Sequence, residues 1–328
     1  MRFSNIVESI TRQFEVTNNV IFLIEGAPGG GKSAAAAEVG KRLGFDRVVQ
    51  FFPSLRDPVD FLGTPAPTND VTVWRPPQEI VQLSTGRNLL IVEELSDAPV
   101  PVQNVMCGMF HDRTVGAVTL SPDTYIIATA NRSEHKSGAN RLVTKLAGRV
   151  RRIAFTEDLE DWEAWAFDNN IDPVLIQYLR FSGKLSEFDA TADACPTPRN
   201  WARVSQIPTD LGAQMYFENV AGDVGEGAAA GYTAFRKIYN ELPNLSRAIS
   251  DPEGTEVPNK LDVAYATLGA LVKYVKDEQT WDKALTYAQR FSPDMTVMFV
   301  QDAARKMPEL LTTKSFIKFA TDNQDVFF

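Results

Sequence analysis

Short apolar runs separated by helix-forming stretches fill the first half of the chain. The runs are rich in β-branched residues and have the length of buried strands. Strands that alternate with helices predict a mostly parallel sheet with helices covering its faces. The predicted strands are 20–24, 47–52, 88–92, 124–130 and 151–155, and the predicted helices are 4–15, 32–43 and 101–112.

A Pro-rich segment, residues 53–77, interrupts this alternation. Within it, the turn-forming pair Asn69-Asp70 lies between two short extended pieces, 64–67 and 71–75.

The strand pattern fades after about residue 155, and the rest of the chain is predicted to be helical. A stretch rich in Pro, Gly and acids, 249–258, is the best internal linker. The expected fold class is therefore α/β, followed by an all-helical half. Its predicted helices are 157–169, 173–181, 199–207, 224–240, 261–277, 282–290, 294–306 and 313–321.

Composition narrows the protein class. The 328 residues suggest two or three domains, and 44% hydrophobic with 23% charged residues is ordinary for a soluble globular protein. No apolar stretch approaches a membrane span and the N-terminal residues have no apolar signal-peptide core, so we expect a cytoplasmic protein without membrane association. Two cysteines and two histidines are too few for the common zinc sites. A net charge of −9 argues against a broad nucleic-acid surface without excluding a local one.

Residues 26–33, Gly-Ala-Pro-Gly-Gly-Gly-Lys-Ser, match the phosphate-binding motif G-x-x-x-x-G-K-[ST] in full. A strand precedes them and a helix follows, as the motif requires. Glycines let successive N–H groups point at phosphate oxygens, Lys32 reaches the β- and γ-phosphates, and the Ser33 hydroxyl takes a Mg²⁺ position. The motif predicts binding of a nucleoside triphosphate. The residues expected at the nucleotide are Gly26, Pro28, Gly29, Gly30, Gly31, Lys32, Ser33 and Ala34.

Two carboxylates, Glu93 and Glu94, end the apolar run 88–92. In P-loop proteins a carboxylate at the end of such a strand holds the Mg²⁺. We therefore predict Glu93 as the metal-side carboxylate and Glu94 as the base that polarises the attacking water. The usual first residue is Asp, so Glu93 is one methylene longer. The alternative is two solvated acids at a strand end.

ATP is favoured over GTP. Residues 259–262, Asn-Lys-Leu-Asp, match a guanine-binding motif, but a polar linker precedes them where the motif needs an apolar strand. Residues 60–63, Asp-Phe-Leu-Gly, match a second GTPase pattern that likewise lacks its strand.

The segment 90–103, Leu-Ile-Val-Glu-Glu-Leu-Ser-Asp-Ala-Pro-Val-Pro-Val-Gln, together with 110–116, Phe-His-Asp-Arg-Thr-Val-Gly, resembles the MoxR-like branch of the AAA+ ring ATPases. Residues 126–132, Ile-Ile-Ala-Thr-Ala-Asn-Arg, are similar to the sensor 1 strand of that family. The resemblance implies that Asn131 contacts the attacking water or the γ-phosphate. On its own, an Asn after a strand is only a turn residue.

Residues 146–150, Leu-Ala-Gly-Arg-Val, resemble the family segment that carries an arginine finger, which implies that Arg149 acts on the ATP of a neighbouring subunit. The stretch 131–152 holds seven Lys or Arg and one Glu, a positive patch in an acidic protein. Gly148 stands where the family has Asn, so other arginines compete for the role, and a nucleic-acid patch is a further alternative. The competing arginines are Arg141, Arg151 and Arg152.

Residues 197–201, Thr-Pro-Arg-Asn-Trp, resemble the sensor 2 segment of the family, which implies that Arg199 contacts the nucleotide from a lid helix. Pro198 suits the first turn of a helix, whereas a cation there opposes the helix dipole. Arg199 at this place therefore indicates an anionic partner, and a surface arginine is the alternative.

The resemblance covers about residues 4–245 and implies three parts: an AAA+ nucleotide-binding domain (1–156) with a helix 2 insert at about 58–80, a helical lid (157–248) and a helical C-terminal extension (249–328). Within the insert, Phe61 and Trp74 either contact a substrate or pack against their own domain. The implied protein is a homo-hexameric ATPase that acts on a protein partner, for which a von Willebrand factor A domain protein is one candidate. The alternatives are a DNA-associated motor or loader and an ATP-gated binding switch with little turnover.

Overall fold

The structure is a computed structural model that describes residues 1–131, 142–240, 242 and 245–323. The described chain forms two compact units. The first comprises residues 1–162 with 186–193 and 197–199, and the second comprises 163–185, 194–196 and 200–323. None of the described helices combines the length and apolar content needed to cross a bilayer.

A five-stranded sheet forms the centre of the first unit. Its strands are ordered β2-β5-β8-β1-β9, and every neighbouring pair is parallel. Two short antiparallel hairpins, β3-β4 and β6-β7, lie outside it. The strands are β1 (Ile21–Gly26), β2 (Arg47–Phe51), β3 (Thr64–Pro67), β4 (Thr72–Arg75), β5 (Asn88–Val92), β6 (Thr114–Val115), β7 (Val118–Thr119), β8 (Thr124–Asn131) and β9 (Val150–Ala154).

Helices cover both faces of this sheet. Side chains alternate along the central strands, so that Leu23 faces one hydrophobic cluster and Phe22 the other. Helices α1 and α2 pack on the Phe22 face and α5 on the Leu23 face. The helices before β9 are α1 (Phe3–Val16), α2 (Lys32–Leu43), α3 (Val59–Leu62), α4 (Gln78–Gln82), α5 (Val100–His111) and α6 (Thr144–Ala147).

Helices make up the rest of the described chain, as the sequence predicts. A second core is built around large aromatic side chains, among them Trp281, Tyr287 and Phe299. The helices are α7 (Leu159–Asp168), α8 (Pro173–Ser182), α9 (Pro198–Val204), α10 (Ala213–Val224), α11 (Glu226–Asn240), α12 (Leu245–Ser250), α13 (Leu261–Leu271), α14 (Glu278–Ala288), α15 (Pro293–Lys306) and α16 (Lys314–Asp322).

A buried ion-pair network joins three helices of the second unit. The Arg180 guanidinium donates to Glu163 and to Asp302, each at 2.8 Å. These residues come from α8, α7 and α15. Residues before 185 and after 290 therefore share one buried polar cluster.

The helix predicted at 224–240 is present as α11, two residues shorter at its start, whereas α10 was not predicted. Gly225, with φ of +82°, separates the two helices. A Cβ at Gly225 would lie 2.9 Å from the Ala194 carbonyl oxygen, so glycine suits the close approach as well as the left-handed backbone. The helix predicted at 261–277 ends at Leu271 and continues as one 3-10 turn, Val272–Tyr274.

The insert contains α3, the hairpin β3-β4 and α4, so the extended pieces predicted for it are present. Phe61 is fully buried and packs edge-on against Phe51, with ring centroids 5.5 Å apart. Trp74 lies on β4 and is 52% exposed. Of the two aromatic candidates for substrate contact, Phe61 is thus a core residue and Trp74 is accessible.

Candidate nucleotide-binding site

The P-loop connects the end of β1 at Gly26 to the start of α2 at Lys32. Gly29 and Gly31 have φ of +78° and +113°, backbone conformations that residues with a side chain rarely adopt. No side chain caps α2, so the N–H groups of its first turn, which includes Ser33 and Ala34, are available to an anion. The loop between β1 and α2 therefore has the geometry of a phosphate cradle.

Lys32 is buried at the base of this loop, with 9% of its surface exposed. Its Nζ donates to the carbonyl oxygens of Gly26 at 3.1 Å and Ala27 at 2.7 Å, and to Asn131 Oδ1 at 3.1 Å. Burial lowers the pKa of Lys32 to about 8, an effect that the nearby Glu157 carboxylate opposes. The Lys32 ammonium is therefore hydrogen-bonded to neutral oxygens. A charged phosphate would be a stronger partner for it.

The predicted metal-side residues Ser33 and Glu93 lie in direct contact. The Ser33 hydroxyl donates to Glu93 Oε2 at 2.7 Å, and the Thr129 hydroxyl donates to the same oxygen at 2.6 Å. Glu93 is only 2% exposed, and its other oxygen, Oε1, is buried with no hydrogen-bond donor among the residues that the structure describes. A hydroxyl and an unpaired buried carboxylate oxygen are donors that suit Mg²⁺, so the residues present fit the metal that the motif implies.

Glu94 directly follows Glu93 and has an exposed side chain. Its backbone is left-handed, with φ of +52°, which costs a residue other than glycine about 1–2 kcal/mol. The Glu94 N–H donates to Thr129 Oγ1 at 3.1 Å, and Asp97 N–H donates back to the Glu94 carbonyl at 2.9 Å. A tight turn thus separates a buried carboxylate from an accessible one.

Asn131, the predicted sensor, lies at the end of β8 in register with Gly26 on β1. Its Oδ1 accepts from Lys32 Nζ, and its Nδ2 donates to Asp97 Oδ2 at 3.4 Å. The structure therefore brings Asn131 to the P-loop lysine, across two adjacent strands.

Arg199 belongs to a segment that lies against the P-loop. Its backbone N–H donates to the Gly29 carbonyl at 3.2 Å. A Cβ on Gly29 would lie 3.0 Å from Thr197 Oγ1, so the two segments are in close contact. The charge of Arg199 is one of the influences that lower the pKa of Lys32, after that of burial.

Arg149 lies just before β9, and its guanidinium donates to the Lys145 carbonyl at 2.7 Å rather than to a residue of the P-loop. Two of its competitors likewise make contacts within the chain: Arg152 donates to Glu25 at 2.8 Å, and Arg151 donates to Gln13. The third, Arg141, lies outside the described residues, as do two other basic residues of the positive patch, Arg132 and Lys136.

Three further residues, which no sequence motif singled out, also lie at the site: Thr129, Asp97 and Glu157. Thr129 and Asp97 hold Glu93, Glu94 and Asn131 as described above. The Glu157 carboxylate packs over Gly30, with Cδ 3.1 Å from the position of a Cβ there, and its Oε1 is buried without a donor. Thr129 could have been predicted, because it lies two residues before Asn131 and therefore on the same face of the strand. Glu157 could not, because only the fold brings it to the site.

The guanine-type motif lies at the start of α13, not at the end of a strand, so it lacks the setting that it needs. Among the described residues, no further cluster of three or more His, Cys, Asp or Glu has the spacing of a metal site.

No family model and no curated protein matches the sequence. Solved structures of RuvB variants from Thermotoga maritima share the chain path at a low level. One has a TM-score of 0.41 and 14% identity, over 84% of this chain and 88% of that chain. A second has a TM-score of 0.40 and 15% identity, over 84% and 88%. These values carry no functional argument, so the site is interpreted from its own geometry.

The strand order places the P-loop strand β1 between β8 and β9, with the candidate acids on the next strand but one, β5. The chain thus has a P-loop α/β fold, a parallel sheet flanked by helices and followed by a helical C-terminal part.

Proposed function

We propose that the protein is a cytoplasmic, ring-forming AAA+ ATPase that couples Mg²⁺-dependent ATP hydrolysis to the remodelling or activation of a protein partner. The observation that carries this proposal is a pair of hydrogen bonds from successive P-loop residues, Lys32 to Asn131 at the end of β8 and Ser33 to Glu93 just after β5. These bonds bring together a P-loop ammonium, a P-loop hydroxyl, a buried carboxylate and a polar strand end, which are groups that P-loop enzymes use in phosphoryl transfer, and this supports the proposal.

Binding begins at the P-loop. The N–H groups of residues 29–34 hold the phosphates, and the Lys32 ammonium exchanges the carbonyls of Gly26 and Ala27 for phosphate oxygens. Ser33 and Glu93 would hold Mg²⁺, which supplies charge neutralisation at the transferred phosphoryl group.

Hydrolysis needs a base and an orienting group. Glu94 is the accessible carboxylate next to Glu93 and accepts the proton of the attacking water. Asn131 is hydrogen-bonded to Lys32 and orients that water or the γ-phosphate. Arg199 acts on the nucleotide from the segment against the P-loop, and Arg149 acts from a neighbouring subunit, where a guanidinium is worth a factor of about 10³–10⁵ in rate.

The MoxR-like assignment and the protein partner rest on the resemblance in residues 90–103, 110–116 and 126–132, and a partner with a von Willebrand factor A domain would agree with it. The net charge of −9 favours a protein partner over DNA. Stimulation of ATPase activity by DNA would favour a DNA-associated motor instead. Assembly on ATP without hydrolysis would indicate a binding switch.

The test compares wild type, Lys32→Ala and Glu94→Gln in nucleotide binding, ATP turnover and native mass. We expect Lys32→Ala to lose nucleotide binding, because the phosphates lose their cation. Glu94→Gln should bind ATP, turn it over at least about 100-fold more slowly, and shift in native mass to a ring of about six subunits with Mg-ATP. Normal turnover in Glu94→Gln would refute the base, and a monomeric mass in Mg-ATP would refute the ring.

A further inference from the structure

The Thr129 hydroxyl contacts both acids of the site at once. Thr129 lies on β8 and is 1% exposed. Its Oγ1 donates to Glu93 Oε2 at 2.6 Å and accepts from the Glu94 N–H at 3.1 Å. A threonine hydroxyl has one proton, so it can donate one hydrogen bond, and Thr129 donates it to Glu93.

We propose that Thr129 is a positioning residue for the reaction, which aims Glu93 at the metal and fixes the turn that presents Glu94 to the water. This inference rests on the proposed function, because it assigns a role relative to the same metal and the same water.

The first part of the argument concerns Glu93. Two hydroxyls, those of Ser33 and Thr129, donate to its Oε2, and within the described part of the chain no donor reaches its buried Oε1. Ser33 is itself a candidate metal ligand, whereas Thr129 approaches Glu93 from β8 and donates its hydroxyl proton to Glu93 Oε2. Thr129 would therefore keep Oε2 hydrogen-bonded if Ser33 bound the metal, and Oε1 would be the oxygen available as a ligand.

Glu93 also needs such a restraint more than Asp would. A glutamate has one more rotatable bond than the aspartate usual at this place, so its carboxylate is less well fixed by the backbone. The hydrogen bond from Thr129 restricts that additional freedom, and this offers a physical reason why the longer acid is tolerated here.

The second part concerns the backbone of Glu94. Its left-handed conformation, φ of +52° and ψ of +42°, must be held by its surroundings. The bond from Glu94 N–H to Thr129 Oγ1 fixes one side of this residue, and the bond from Asp97 N–H to the Glu94 carbonyl fixes the other. Loss of the hydroxyl frees the side of the turn nearest the metal ligands.

A merely structural threonine would behave differently. If the hydroxyl only satisfied buried polar groups, its removal would lower stability and nucleotide binding alike, with or without Mg²⁺. A positioning residue instead changes the Mg²⁺ dependence and the turnover while metal-free nucleotide binding persists.

The experiment uses Thr129→Val, which keeps the shape and removes the hydroxyl, and Thr129→Ser, which keeps the hydroxyl. Thr267→Val is the matched control, because Thr267 is also fully buried and its hydroxyl donates to a backbone carbonyl, that of Val263, at 2.6 Å. The readouts are the affinity for a fluorescent ATP analogue in EDTA, the Mg²⁺ concentration that gives half of the metal-induced change in that affinity, and ATP turnover.

We expect Thr129→Val to bind the analogue in EDTA within about twofold of wild type, to require about 10–100-fold more Mg²⁺, and to lose turnover by a similar factor. Thr129→Ser and Thr267→Val should stay near wild type in all three measurements.

Two results would overturn the proposal while the proposed function stands: wild-type Mg²⁺ dependence and turnover in Thr129→Val, or an equal loss of binding in EDTA and in Mg²⁺. A wild-type protein whose nucleotide affinity does not respond to Mg²⁺ would instead remove the metal site, and both proposals would fail together.

Discussion

A buried ammonium makes the P-loop sensitive to pH. Lys32 is 9% exposed, and burial lowers its pKa from 10.5 to about 8, although Glu157 acts in the opposite direction. A phosphate needs the charged form of Lys32, whereas the empty loop disfavours that form. Nucleotide affinity and the stability of the nucleotide-free protein must therefore respond to pH with opposite sign.

We expect ATP affinity to be constant below about pH 8 and to fall above it, by at most about tenfold per pH unit, as the ammonium is lost. Over the same range the free energy of unfolding without nucleotide should rise, because the unfolded chain retains the proton up to about pH 10.5. Titration calorimetry between about pH 7 and 9.5 measures the first effect, and urea denaturation the second.

Two variants separate Lys32 from other titrating groups. Glu157→Gln should move the fall in affinity to lower pH, because the carboxylate that raises the pKa of Lys32 is gone. Lys32→Arg should bind more weakly with a flat profile, since a guanidinium stays protonated throughout this range. A wild-type profile that is equally flat would contradict a depressed pKa at Lys32.

Residues that belong to a recognisable motif could be predicted from the sequence. The structure joins four of them in two hydrogen-bonded pairs, Lys32 with Asn131 and Ser33 with Glu93. It could not give Glu157, because nothing in its neighbourhood in the sequence relates it to Gly30, and only the path of the chain after β9 brings it there. Motifs specify the groups that touch phosphate, whereas the residues that orient those groups come from the fold.

At the level of elements, the strands were the most predictable part. A parallel strand that is buried on both faces reads as a continuous apolar run, often rich in β-branched residues. Such runs located β1, β5 and β8 in the sequence. Helix limits in the second half were less predictable, because Gly225 breaks one helical stretch through a left-handed backbone that composition does not reveal. The close packing of one helix against another is also hard to predict from the sequence, because it can depend on a single glycine.

Gly269 illustrates such packing. It lies in α13 against α8, and a Cβ there would come within 2.6 Å of Gln177 Cδ. Gln177 is itself buried and donates to Asp302 at 3.3 Å, so its side chain is not free to move aside. Gly269→Ala should therefore lower the free energy of unfolding by about 1–3 kcal/mol, despite the better helix propensity of alanine.

Gly222→Ala is the matched control, because Gly222 lies near the end of α10 with no atom within 4 Å of its Cβ position. There the propensity gain should dominate, and stability should rise by up to about 1 kcal/mol. Urea denaturation measures both variants. Equal stabilisation by the two substitutions would show that Gln177 yields to the new methyl group without cost.

At the level of the whole molecule, the proposed ring makes each active site a shared property of two subunits. The described residues around Lys32 include the P-loop, both acids and the sensor, but Arg149 makes its own contact with Lys145. Arg151 and Arg152 also make contacts within their own chain, with Gln13 and Glu25, so these contacts do not single out one arginine. Arg149 is the proposed finger because residues 146–150 resemble the family segment that carries one. A subunit-mixing experiment tests this directly.

Arg149→Ala and Glu94→Gln should each hydrolyse ATP poorly alone, for different reasons: the first lacks the group that it gives its neighbour, the second its own base. In a random one-to-one mixture, a site is competent when its own subunit has Glu94 and its neighbour supplies Arg149, which holds for about a quarter of the interfaces in a head-to-tail ring. We therefore expect up to about a quarter of wild-type turnover to return on mixing.

Adding Arg149→Ala to the Glu94→Gln chain should abolish this recovery, because no subunit then supplies the arginine. Recovery with that double variant, or full turnover by Arg149→Ala alone, would show that another group stabilises the transferred phosphoryl, and would make Arg141 the next residue to substitute.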